Sequence, residues 1–450
     1  MLLGMPSYAL HHVQYLSAEL RMRSHYNHVS LYQKIRYMAL GDSPFGRTTY
    51  RYSPFVASFM LVSYNPLIGK ILFIIVDVVV GWLVQCTLDS LRCPAKVRLV
   101  STAVWMLNPY TITMSTRGSF ESITSLLLLG VLRSVLEDQV MIAAILYGIV
   151  THLRIYPIIF AIPFAIFFGE DNESVTGNRF STRLQENRQG SSIMLWLPPY
   201  GSSSKIKLFT SGSFSFAIYS ASLFILLAVV NYSVYGLDFL EDAFIYHLQR
   251  KDIRHNFSPS FYGEYVSTSC TAGLENDGSN ETPMTNLSAL LVLRVLSILP
   301  QVATAVLVGV KFAKDLPFAL YLQTVGFVAL NRVCTAQYFV WYICLIPIVL
   351  PGWISLCSGL HDLSSCAQKE HRKQMHVDQK RRGASFRLEC GVICRWQVAH
   401  VFCLCSAYIL EFHGKAIFWQ VWTTGILFSF THASLMVSCV KYEKLNFAYA

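Results

Sequence analysis

"KILFIIVDVVVGWLVQCTL", residues 70–88, decides the class of the fold. Its charged side chains are Lys70 at the edge and Asp77 within. The rest is apolar on every face of a helix rather than along one stripe, so no face is left for water. Crossing the hydrocarbon core of a bilayer takes roughly 20 apolar residues, and this stretch has that length. A helix also closes its own backbone hydrogen bonds, as lipid demands. An acid inside such a span is a functional candidate by default, although a hydrogen bond to a neighbouring helix is an equally good reading of Asp77.

Similar runs recur at about 98–114, 121–136, 139–152, 155–168, 214–235, 285–310, 315–330, 338–352, 396–411 and 416–439. They predict an all-α polytopic membrane protein of roughly eleven apolar segments, some short enough to be re-entrant or paired. Composition agrees. Of the 450 residues 53% are hydrophobic and only 14% charged, with mean hydropathy +0.42, whereas soluble domains carry about 25% charged residues. The 12 Cys show no paired spacing and read as small apolar fillers. The opening "MLLGMPSYALHHVQYLSAELRMR" is interrupted by Pro6, His11 and His12, and carries neither a spanning run nor a signal-peptide pattern.

The net charge of +10 sits in no compact basic domain, so it argues against a nucleic-acid partner. If each segment is crossed in turn, one face collects 21 of the 36 Lys and Arg, including the basic loop after residue 353. Positive loops stay cytoplasmic, so that face is the cytosol. His361, Cys366, His371, His376, Cys390 and Cys394 in this loop lack the pair spacing of a zinc site, and no metal is expected.

The opposite face gathers short polar strings at segment ends: "GDSPFGRTTYRYSP" (41–54), "STRGSFES" (115–122), "HLRIYP" (152–157), "NRVCTAQYFVWY" (331–342) and "EFHGK" (411–415). With them stands "HLQRKDIRHNFSPSF" (247–261), which packs Arg250, Lys251, Asp252, Arg254, His255 and Asn256 together. Such side chains suit phosphate and sugar hydroxyls. Arg117 or Arg154 alone could merely snorkel to the headgroups, but six clusters on one face point to a binding site. A transporter would instead place its polar groups at mid-membrane depth.

These strings carry a resemblance. "TYRYSP" (49–54), "GKILF" (69–73), "LNP" (107–109), "STRG" (115–118), "HLRIYP" (152–157), "FIYHLQRKDIRHNFSPSFY" (244–262), "VCTAQYFVWYICLIP" (333–347) and "AYILEFHGK" (407–415) run in order. The chain resembles the glycosylphosphatidylinositol (GPI) mannosyltransferase 1 catalytic subunit family. The resemblance implies a GT-C-like multi-span helical bundle in the endoplasmic reticulum membrane, with luminal loops forming the active site. It implies transfer of the first, α1,4-linked mannose from dolichol-phosphate-mannose, the donor substrate, to glucosaminyl-phosphatidylinositol. No cofactor is otherwise called for. Membrane lipid substrates and a small single-span regulatory subunit are the implied partners. Arg250, Lys251, Arg254 and His255 are then candidate phosphate donors, Asn256 and Gln337 candidate hydroxyl partners, and Arg117 and Arg154 further candidate substrate-binding residues.

One departure stands out. Where the family has an Asp-x-Asp motif in its first luminal loop, this chain reads "SHYNH" (24–28), with His25 and Asn27 at the acid positions. Residues 1–40 therefore form an atypical segment without the family's first span, ahead of a multi-span domain over 41–450. The catalytic base falls to His25 or Asp252. Asp42 lies too far along the chain, and Lys251 and Arg254 make Asp252 a weaker base. The alternative readings are a catalytically inactive paralogue or truncated form, or another dolichol-dependent glycosyltransferase.

The alternation has a direct test. The sequons at Asn280 and Asn286 should carry glycan, whereas Asn172 should not, and Pro259 directly after its sequon should leave Asn256 bare. Mass shifts on glycosidase treatment of Asn→Gln variants check this. Glycan at Asn172 would invert the topology.

Overall fold

A computed structural model describes residues 43–46, 50–61, 66–169, 210–250, 256–264, 287–353, 395–396, 398–410 and 413–449. Residues 1–40, with His25, lie outside them, as do 251–255 and the basic stretch 354–394. Every regular element among the described residues is helical. The helices are α1 (Pro54–Leu61), α2 (Pro66–Ser90), α3 (Ala95–Met106), α4 (Pro109–Thr116), α5 (Glu121–Leu136), α6 (Val140–Leu153), α7 (Ala161–Gly169) and α8 (Ser211–Tyr235). After them come α9 (Leu287–Phe312), α10 (Leu316–Ala329), α11 (Ala336–Ile343), α12 (Ile346–Trp353), α13 (Val398–Leu410) and α14 (Phe418–Tyr449).

The apolar runs are therefore helices, but not all are single rods. By length and composition α2, α8 and the Phe418–Val440 part of α14 can each cross a membrane alone, and α11 with α12, bent by 51°, makes a fourth. The expected span at 98–114 is broken between α3 and α4. There Asn108 caps α4, its side chain accepting from the Tyr110 N–H at 2.9 Å, and Pro109 takes the first helical position. Likewise α6 stops at Leu153, because the ring of Pro157 would meet the Leu153 carbonyl of a continuing helix.

Packing follows lipid rules. Along α2, Phe73, Asp77, Val80, Val84 and Leu88 form one buried stripe, while Ile71, Ile75, Val78 and Trp82 face outward, Trp82 at 65% exposure. A water-facing helix would reverse that choice; an apolar outer face needs acyl chains. In α8 the inward residues are, apart from Phe216, small or polar (Ser213, Ser220, Asn231), and Phe214, Ile218, Ile225 and Val229 face outward. Small residues let helices approach closely in a bilayer. α8 lies against α6 and α7, α6 against α5, and α5 against α2. α10 is buried along nearly its whole length, between α9 and α14. Its Gln323 is fully buried and donates to the Ile159 and Ala305 carbonyls at 3.0 and 2.7 Å, tying three segments together. Asp77 lies beside the hydroxyls of Ser115 and Ser122 without forming a well-shaped hydrogen bond to either.

Contacts sort the connections into two ends, as the charge alternation requires. Ser90 meets Glu137, Arg98 pairs with Asp89, and Thr210 donates to the Phe168 carbonyl at one end. The other end brings together residues 50–53, 117–121, 152–156, 237–250, 256–264 and 331–341.

Candidate active site

Glu121, the first residue of α5, is the innermost charge of that second end, with no solvent exposure. Its placement begins with a turn: Gly118, at φ 77°, ends α4 in the left-handed region, and Ser119 N–H bonds back to the Met114 carbonyl at 2.9 Å. The chain then re-enters a helix at once. Arg154 leaves α6 in extended backbone and reaches Glu121 at 2.5 Å, while Trp341 Nε1 donates to the other carboxylate oxygen at 2.9 Å. A buried carboxylate needs such partners. Burial and the adjacent Glu121 compete over Arg154, and the net effect holds its guanidinium charged.

Around this pair the aromatic residues form a wall. The Arg154 guanidinium lies 4.2 Å over the Tyr52 ring. Trp341 is sandwiched between Tyr156 (3.9 Å, 5°) and Tyr338 (4.1 Å, 23°). Arg250 Nη1 donates to the Tyr338 hydroxyl at 3.0 Å. The buried carboxylate is thus linked through two rings to the first residue of the basic run.

A second set of contacts anchors the far side of that run. Asn256 is 2% exposed, and its Oδ1 accepts from the Ser258 and Cys334 N–H groups at 2.9 Å each. Its Nδ2 donates to the Arg332 carbonyl at 3.1 Å, and Phe257 N–H donates to the Cys334 carbonyl at 2.7 Å. In this arrangement Asn256 latches two strings together. Arg332 pairs with Glu264 at 2.5 Å. On the opposite side Arg51 pairs with Asp242 and lies 4.2 Å over the Tyr246 ring. Asp242 belongs to a π-helical turn, Glu241–Ile245, between two short helices that follow the break at Gly236 (φ 61°). Such turns are frequent at functional sites.

The other expected residues divide as follows. Gln337 is half-buried at the start of α11, and Arg117 is exposed at the end of α4. His25, Lys251, Asp252, Arg254 and His255 lie outside the described residues. Among the described residues no group of three or more His, Cys, Asp or Glu could hold a metal ion. The chemistry-first reading passed over Glu121, Tyr52, Tyr338, Trp341 and His247. A single acid opening an apolar helix, as in "STRGSFES", was the available signal for Glu121.

Known proteins match this chain over most of its length. A family profile described as mannosyltransferase (PIG-M) covers residues 114–440. The "GPI alpha-1,4-mannosyltransferase I, catalytic subunit" of Danio rerio is 30% identical over 415 residues, 91% of this chain and 86% of the relative. "GPI mannosyltransferase 1" of Dictyostelium discoideum is 30% identical over 89% of this chain and 80% of its own. The protein of that name from Schizosaccharomyces pombe is 30% identical over 85% of each.

The buried pair makes a prediction. Arg154→Met leaves the Glu121 charge buried without its cation and should cost on the order of 3–5 kcal/mol. Combining it with Glu121→Gln should recover much of that loss, as read by melting temperature of the detergent-solubilised protein. Additive losses would mean that the two side chains are not coupled.

Proposed function

The chain belongs to the mannosyltransferase (PIG-M) family, and from that premise we propose that it transfers the first, α1,4-linked mannose of the GPI anchor from dolichol-phosphate-mannose to glucosaminyl-phosphatidylinositol. It is a glycosyltransferase of GPI-anchor synthesis. The observation that carries the donor and acceptor reading is the gathering of polar strings at one end of an otherwise lipid-facing bundle, around Arg154 and Arg250. Both substrates are lipids with their reacting groups at a membrane surface, so a site at segment ends meets them at the right depth. That end faces the lumen of the endoplasmic reticulum on the charge alternation. The name of the zebrafish relative, a catalytic subunit, supports a complex with a further subunit, for which the family resemblance implies a small single-span chain.

Three arginines of this end are already matched by acids: Arg51 by Asp242, Arg154 by Glu121 and Arg332 by Glu264. They build the walls. The leaving phosphate is assigned to the basic run, in which Arg250, Lys251, Arg254 and His255 stand with the single acid Asp252. Arg117 waits at the rim for an acceptor phosphate. Gln337 is placed to reach sugar hydroxyls, and Asn256 serves by holding the loop. Stabilising a departing dolichyl phosphate is electrostatic work, and fixed cations in a water-poor site do it without reorganising.

Expressed in cells that lack the endogenous first mannosyltransferase, the chain should restore GPI-anchored proteins at the surface. Arg254→Ala should leave the protein in the membrane and cut transfer in isolated membranes by on the order of a hundredfold. Lys at this position should rescue poorly if the phosphate contact is bidentate. Near-normal transfer by the Ala variant would reduce Arg254 to a loop anchor.

A further inference from the structure

We propose that His247 is the general base of the transfer, taking the acceptor hydroxyl proton on Nδ1; this rests on the mannosyl-transfer reading above. Nε2 of His247 lies 3.0 Å from the Arg51 carbonyl oxygen. A carbonyl oxygen only accepts, so Nε2 carries the hydrogen, and the lone pair of the neutral ring is on Nδ1. Nδ1 makes no hydrogen bond to another described residue and is not sealed away, since the side chain is half-buried. The hydrogen bond thus fixes tautomer and ring orientation and leaves a bare acceptor nitrogen at the site.

Its surroundings are those of the candidate site. Arg51, Arg154 and Arg250 all act on the ring electrostatically, and the rings of Tyr52 and Tyr246 flank it at 6.4 and 6.0 Å. Among the described residues the other acids of this end are paired or turned outward. Glu121, Asp242 and Glu264 are each paired with an arginine, and Asp238 and Glu241 are exposed on the outer turns of the 237–249 stretch. His152 is 1% exposed, its Nε2 already contacted by Ser53 and Asn231. His413 is exposed on a separate turn against Tyr408. The Nδ1 of His152 has no partner either but is sealed inside, whereas His247 is half-buried beside the three arginines.

In the step, the acceptor hydroxyl oxygen forms a bond to the anomeric carbon of the mannosyl group. Its proton passes to Nδ1, the anomeric carbon–oxygen bond to phosphate breaks, and the electron pair leaves on dolichyl phosphate. Burial, with the nearby Arg154, Arg250 and Arg51, outweighs the Arg51 carbonyl bond and lowers the pKa of His247 to about 4, so the ring is neutral and ready at physiological pH. The same cations would oppose the imidazolium. A bound phosphate cancels part of their field, so the ring gains basicity only when a phosphate-bearing substrate is in place. Proton removal is thereby coupled to occupancy.

The test uses membranes from cells lacking the endogenous enzyme and expressing the full chain, with dolichol-phosphate-mannose and synthetic glucosaminyl-phosphatidylinositol. His247→Gln keeps an N–H for the Arg51 carbonyl but has no basic nitrogen. It should lose a hundredfold or more in kcat with KM little changed, and added imidazole should restore part of the activity of His247→Ala. In the unsubstituted chain the acidic limb of kcat should lie at higher pH than that of kcat/KM, because substrate phosphate raises the pKa of the ring. A flat kcat down to pH 5 with coincident limbs overturns the assignment even if the variants misfold. So does a His247→Gln enzyme of near-normal kcat beside an inactive His247→Ala, which would mark the ring as a prop for the Arg51 loop. No transfer by the unsubstituted chain overturns the transferase reading itself, and His247 with it.

Discussion

The polar end of this bundle depends on a carboxylate that cannot reach water. Glu121 has no exposure, so its carboxylate depends on Arg154 and the Trp341 indole for the partners that water would otherwise supply. Each partner brings a different part of the chain: Arg154 the break between α6 and the 156–160 turn, Trp341 the second half of α11. From Trp341 the order spreads through stacked rings to Tyr338 and thence to Arg250. A site for a charged lipid at a membrane surface needs cations at defined positions despite their mutual repulsion. Matching Arg51, Arg154 and Arg332 with acids contributes to this.

The bundle beneath is organised by the absence of water. α2 presents large apolar side chains on both its inner and its outer face, and α8 turns large apolar ones outward and, Phe216 apart, small or polar ones inward. Hydrogen bonds such as those of Gln323 then act as cross-ties between helices, because the carbonyls they reach have no solvent alternative. Helix breaks at Pro109 and Pro157 are tolerated because the freed backbone groups are capped by Asn108 or re-bonded in a 3₁₀ turn. These breaks set where α4 ends at Arg117 and where Arg154 leaves α6.

The spans were legible in the sequence because apolarity on all faces is a strong local signal, and the prolines marked the breaks. Two-sided sorting of the loops was legible as well, from crossing the apolar segments in turn. What lies across long separations was not. Nothing local tells that Phe257 bonds to Cys334, or that an acid at 121 meets an arginine at 154 and an indole at 341. Asn256 read as a hydroxyl partner because an amide in a basic run suits sugar, yet its donors and acceptor are engaged by backbone three ways. His247 opened the quoted basic run and was passed over, since its meaning depends on the Arg51 carbonyl that fixes its tautomer.

The central claim is that this end of the bundle, and not the opposite one, holds the reacting lipid phosphate beside Arg250. A cryo-electron microscopy structure of the chain in a lipid nanodisc with dolichol-phosphate-mannose bound is its most direct test. The account predicts phosphate density within hydrogen-bond reach of Arg250 and the residues that follow it, with the mannosyl anomeric carbon turned toward the Tyr52–His247 wall. Phosphate density at the opposite end, beside Arg98 and Ser90, would contradict it.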